Sequence, residues 1–184
     1  MTVHLASEPS AWVRRFAALV PRGARVLDLA AGRGRHARLF ASLGHPVLAV
    51  DVDASALAFL DGVPGVATRV LDLESGPWPL AGERFGAIVV THYLHRPSFR
   101  AMLDTLADDG MLVYETFAAG NEAHGKPSNP AFLLERGELL ERVRSRLAVV
   151  AFEEGLVERN DGGRAVVQRL AAVGPRRPAP WPLP

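Results

Sequence analysis

The feature that most restricts this fold lies in residues 24–53, where two apolar runs bracket a helical one. "ARVLDLA" (24–30) is short and nearly all apolar, as a strand buried on both faces would be. "GRGRHARLFASLG" (32–44) opens on glycines and closes at Gly44, the stop expected of a helix. "HPVLAVDVD" (45–53) is a second buried-strand run. Strand, helix and strand in this order imply parallel pairing with the helix laid on a sheet face.

The alternation extends along the chain. A helix is expected over about 8–20, where Trp12, Phe16, Leu19 and Val20 have helical spacing and Pro21 ends the run. "ASALAFLDG" (54–62) reads as a short helix with Asp53 as its N-cap, and "GVATRVLDLES" (65–75) as a third strand. A fourth strand covers 84–90, a helix 96–110 and a fifth strand 110–117, followed by a polar loop to residue 130 and a helix over 135–146. Two strand-like runs then flank "NDGG", a hairpin signal, before a Pro-rich tail (174–184) suited to an extended path over the surface. The expected fold is α/β, a Rossmann-like doubly wound sheet, mostly parallel with the last strand antiparallel. One domain is expected over 1–184, its core at 24–173.

Composition removes several function classes. The formal net charge is +1, so a strongly electrostatic nucleic-acid or membrane binder is not expected. No run approaches 18 apolar residues, and the N-terminus lacks a basic-then-apolar signal, which makes the cytoplasm the expected compartment. Without cysteine there is neither a disulfide nor a thiolate nucleophile. His92 and His95 are an i, i+3 pair without an evident third ligand, so no metal site is expected.

In doubly wound sheets ligands bind beyond the carboxyl ends of the strands, which directs attention to 28–36, 51–53, 72–73, 91–96 and 115 onwards. Gly32 and Gly34 allow close backbone approach, and Asp51, 19 residues beyond Gly32, can accept both hydroxyls of a ribose. Taken as G-x-G-x-x-A over 32–37, the pattern also satisfies the dinucleotide fingerprint. Three features point elsewhere. Asp28 places a carboxylate at the end of the first strand, suited to a ligand with a cationic amino group such as S-adenosylmethionine. Asp72 ends the third strand, where it can accept from an adenine amino group, with the backbone of Leu73 beside it. The antiparallel hairpin is unusual for nicotinamide folds.

From "VLDLAAGRGRHA" through "VLAVDVD", "VLDLES" and "FGAIVVTHYLH" to the hairpin, the chain resembles the class I S-adenosylmethionine-dependent methyltransferases. "GRGRH" is similar to their tellurite-resistance and small-molecule branch. The resemblance implies a seven-stranded sheet and S-adenosylmethionine as cofactor. By position, Asp28 would face the amino-acid end of the cofactor, with Ala30, Ala31 and Gly32 packed along it. Asp51 would hold the ribose, Val52 the adenine and Asp72 its amino group, while Thr91 to Tyr93 would close over the methionine part. Ala30 stands where the family usually has glycine, which tightens the turn.

Methyl transfer is largely a matter of positioning, with a base needed only where the acceptor sheds a proton. Candidates for chemistry are His92, Tyr93, His95 and Glu115; Arg35, Arg96, Thr116, Asn121, His124 and Lys126 are candidates for the acceptor side. The compact core favours a small-molecule acceptor over a nucleic acid. Two rivals stand beside this expectation: a short nicotinamide-dependent oxidoreductase, for which no Tyr-x-x-x-Lys pair is present, and a cofactor-binding, non-catalytic methyltransferase subunit.

Overall fold

The computed structural model of the chain describes residues 8–159, 162–181 and 184. Strands β1 (Val26–Leu29), β2 (Val47–Asp51), β3 (Val66–Val70), β4 (Phe85–Thr91), β5 (Leu106–Phe117), β6 (Ala148–Glu158) and β7 (Arg164–Val173) form one sheet in the order β3-β2-β1-β4-β5-β7-β6. β1 pairs in parallel with β2 and β4, β2 with β3, and β4 with β5, whereas β7 runs antiparallel to both neighbours. The seven strands and the single reversed one agree with the sequence expectation. The hairpin turn expected at 160–163 falls partly on residues 160–161, outside the described residues.

Side-chain alternation divides the core. On one face Val26, Ala49, Ala87, Val89, Met111 and Val113 pack beneath α1 (Ala11–Phe16), α2 (Arg35–Ser42) and α3 (Ala54–Leu57). On the other, Leu27, Val50, Ile88, Val90, Leu112 and Tyr114 pack beneath α4 (Phe99–Asp104) and α5 (Glu138–Val143). Burial on both faces explains why the central strands read as continuous apolar runs. Ser10 caps α1 by accepting from the N–H groups of Trp12 and Val13, and Asp53 caps α3 as its sequence position indicates.

The helices are shorter than the spacing suggests. The helix expected over 96–110 stops at Asp104, and β5 begins at Leu106, so "ADDG" is strand. A register shift opposite Phe85 and Ala87 absorbs the extra residues, with Gly110 pressed so close to Leu106 and the Gly86 carbonyl that a Cβ would collide. α2 starts at Arg35 because Gly34 is left-handed (φ 74°), and a Cβ there would lie 2.4 Å from Leu60. The last helix is confined to Glu138–Val143, and the third strand ends at Val70. The tail returns to the first helix: Trp181 packs against the α1 cluster and Arg15 Nε donates to the Pro184 carbonyl at 3.1 Å.

Candidate active site

The strand order reverses between β1 and β4, which opens a crevice at their carboxyl ends. Both lips carry backbone strain. Among the described residues only Ala30 (φ 54°) and His92 (φ 55°) are left-handed without being glycine, and they directly follow β1 and β4. Such conformations cost about 1–2 kcal/mol each and gather at functional sites.

Asp51 shapes the turn between the lips. Its Oδ2 accepts from Gly32 N at 2.7 Å and its Oδ1 from Asp53 N at 3.0 Å, leaving one acceptor position on each oxygen. A Cβ on Gly32 would meet no protein atom within 4 Å, and Val52 is 68% exposed, so this side of the crevice is bare. Ala31 is buried, with its N–H on the Val50 carbonyl.

Asp28 and Asp72 differ from expectation. Asp28 is 1% exposed and turns beneath α2, where its Oδ2 accepts from Ala37 N at 2.8 Å and so supports the turn from below. Burial pushes its carboxyl up to about 7, against the opposing effects of the Ala37 N–H and Arg35. Asp72 closes its own turn, accepting from the N–H groups of Glu74 and Ser75 and from the Ser75 hydroxyl, which together hold its pKa below the usual range. Both its oxygens are engaged by that turn. The Leu73 side chain is buried in the core.

A cavity of about 490 Å³ adjoins the crevice on the α1 face, lined by residues including Ser10, Arg35, His92, Glu115, Phe117 and Arg169. The His92 and Phe117 rings stack, with centroids 4.9 Å apart and planes at 25°. Burial, with Arg35 and Arg159 nearby, depresses the His92 pKa to about 4, so its imidazole is neutral at physiological pH. Glu115 is 6% exposed; its Oε2 lies 2.7 Å from Arg169 Nε and its Oε1 accepts from the Ser10 hydroxyl at 3.2 Å. Ser10 N donates in turn to Nε2 of the buried His36 at 3.1 Å, which ties the α1 cap to α2. Burial lowers the His36 pKa to about 3, consistent with an uncharged acceptor.

Sequence reasoning missed Ser10, His36, Phe117 and Arg169. For Arg169 a signal existed. Ala165, Val167, Ala171 and Val173 form the apolar phase of β7 and Arg169 interrupts it, as Glu115 interrupts the Met111, Val113 and Phe117 phase of β5. The two interruptions are paired in register.

Other candidates lie elsewhere. Arg96 is consumed by structure: Nε and Nη2 donate to the two Glu138 oxygens at 2.8 Å, and the guanidinium also holds the carbonyls of Ala131 and Leu133 at 2.7 Å. His95 pairs with the Ser98 hydroxyl through Nδ1 at 2.8 Å. Tyr93 packs against the α4 side of the core, and burial together with Glu74 raises its pKa. Thr91 is buried in register with Glu115, while Thr116, 1% exposed, points to the opposite sheet face from the cavity. Asn121 staples the loop after β5, donating to the Pro127 carbonyl and accepting from Val166 N. His124 and Lys126 are exposed and outside the cavity lining. Of this segment only Glu115 and Phe117, at its root, line the cavity.

A seven-stranded sheet with one reversed strand and a glycine-turn crevice at β1 and β4 is the fold of the class I S-adenosylmethionine-dependent methyltransferases. Residues 26–110, which carry β1 through the start of β5 and the whole glycine turn, match the family model of a methyltransferase domain. TehB from Haemophilus influenzae superposes with a TM-score of 0.71 at 20% identity, over 86% of this chain and 60% of that one, so this chain spans less than two thirds of that protein's length. A TehB-like S-adenosylmethionine-dependent methyltransferase from Corynebacterium glutamicum gives 0.62 at 23% identity, over 88% and 86% of the two chains. The Burkholderia thailandensis 1,6-didemethyltoxoflavin-N1-methyltransferase, with 1,6-didemethyltoxoflavin and S-adenosylhomocysteine bound, gives 0.63 at 25% identity, over 89% and 76%. No curated protein matches the sequence. Among the described residues no helix is long and apolar enough to cross a membrane.

Proposed function

We propose that this protein transfers the methyl group of S-adenosylmethionine to a small molecule bound in the cavity bordered by His92, Glu115 and Phe117. One observation carries the reading: His92 belongs both to the strained lip of the crevice and to the cavity wall, so the two spaces meet where a methyl group would pass. The residues present fit the cofactor. Asp51 keeps an acceptor position on each oxygen for a ribose diol, and the Ala30–Gly32 backbone leaves open space beside it.

The bound sulfonium would supply an activated methyl group, so the protein's share is orientation and exclusion of water. Neutral His92 offers a hydrogen-bond acceptor and a ring face to the acceptor molecule. Glu115 is held still by Ser10 and Arg169, which makes it a fixed wall. The Burkholderia enzyme, which takes a small molecule, agrees with an acceptor of cavity size.

Titration with S-adenosylhomocysteine and with NAD tests the cofactor, and release of S-adenosylhomocysteine across a panel of small amines, phenols and acids tests transfer. Asp51→Ala should weaken S-adenosylhomocysteine binding by about 1.5–3 kcal/mol, the scale of a charged hydrogen bond. Binding of NAD in its place would refute the reading.

A further inference from the structure

Arg35 opens α2 three residues beyond Gly32, with its guanidinium on the cavity wall. Two other charged side chains on that wall are matched. Arg169 is neutralised by Glu115 at 2.7 Å and approached by Glu153 at 3.6 Å, and Glu8 is taken by Arg14 at 2.8 Å. Arg35 has only the Glu8 carbonyl, at a long 3.4 Å from Nη1, and among the described residues no carboxylate within the 4.0 Å of an ion pair. Asp28, its neighbour in space, is turned toward Ala37 N. Burial lowers the Arg35 pKa, and Glu115 and Asp28 offset this only in part and from a distance.

A half-buried cation so weakly matched is costly until an anion arrives. The flat fork of a guanidinium suits a two-oxygen planar anion such as a carboxylate, met edge to edge by two parallel N–H bonds.

We infer that Arg35 is a carboxylate-binding residue at the junction of crevice and cavity; the inference rests on reading the two as one methyl-transfer site. The carboxylate belongs either to the amino-acid end of the cofactor or to an acidic acceptor, and both present the same group to Arg35.

Calorimetric titration of the wild type, Arg35→Gln and Arg35→Lys with three probes separates the sources. The probes are S-adenosylhomocysteine, 5′-methylthioadenosine, which lacks the amino-acid end, and benzoate added to protein saturated with S-adenosylhomocysteine. Thermal unfolding of each variant checks that it is folded. If the cofactor supplies the carboxylate, Arg35→Gln weakens S-adenosylhomocysteine by at least about tenfold and leaves methylthioadenosine unchanged. If the acceptor supplies it, both adenosine probes are unchanged and benzoate weakens by a similar factor. Arg35→Lys, with the charge but not the fork, falls between in either case. Equal weakening of both adenosine probes, or no response of any probe to Arg35→Gln, overturns the inference. A wild type that binds neither adenosine probe instead sinks the methyl-transfer reading, and the benzoate titration, repeated on the unsaturated protein, still judges Arg35.

Discussion

The reassignment of Arg96 from acceptor contact to structural clamp can be tested through its partner. Glu138 is 13% exposed and takes Arg96 on both oxygens, Arg142 on Oε1 and the Glu135 N–H on Oε2. Despite the opposing cost of burial, these partners draw its pKa from 4.5 to about 2. A folded pKa below the unfolded one means the stabilisation is complete above about pH 4.5 and disappears as pH falls toward 2. At about 1.4 kcal/mol per unit, and discounted for the partly exposed Arg96, the ionised Glu138 contributes about 2–3 kcal/mol at neutral pH. Urea denaturation at pH 7 should show Glu138→Gln less stable by about this amount, with the difference shrinking by pH 3 because the unfolded chain's carboxyl is then protonated and folding must release that proton. Arg96→Ala should cost about 2 kcal/mol, since Arg142 remains to hold the carboxylate. Both variants should bind S-adenosylhomocysteine as the wild type does. A Glu138→Gln penalty as large at pH 3 as at pH 7 would refute the electrostatic account, and an Arg96→Ala protein of unchanged stability but impaired turnover would return Arg96 to the acceptor site.

Two further outcomes follow from strain and pairing. Ala30→Gly should raise stability by about 0.5–1 kcal/mol, because relief at φ 54° exceeds the entropy that glycine adds to the unfolded chain, and a lowered melting temperature would count against a strained lip. Arg169→Met should cost about 2–3 kcal/mol by leaving buried Glu115 with only Ser10, and adding Glu115→Gln should recover at least about 1 kcal/mol; strict additivity in the denaturation midpoints would show that the pair is uncoupled.

Much of the fold was legible because its signals are local. Apolar runs long enough for one strand each, glycines at the ends of helical stretches and Asp53 before α3 do not depend on distant neighbours. The boundary between α4 and β5 was not legible, since "LADD" can continue a helix and becomes strand only because Leu106 finds Phe85 across the sheet. The crevice could be placed from strand order, yet Asp28 and Asp72 could not be assigned from position alone. An acid at a strand end can accept from a ligand or from its own backbone, and position alone does not reveal that Ala37 N and the Glu74–Ser75 turn already engage these two.

The sequence by itself determined the strand and helix alternation, the reversed last strand and the glycine turn with Asp51, all of which follow from periodicity and backbone freedom within a short span. Only the tertiary structure decided which polar side chains line the cavity. Glu115 and Arg169 stand 54 positions apart and meet because β5 and β7 pair antiparallel, while Arg96 is withdrawn by a glutamate 42 residues away. A side chain's chemistry depends on which partner reaches it first, and that partner is chosen by packing across the sheet.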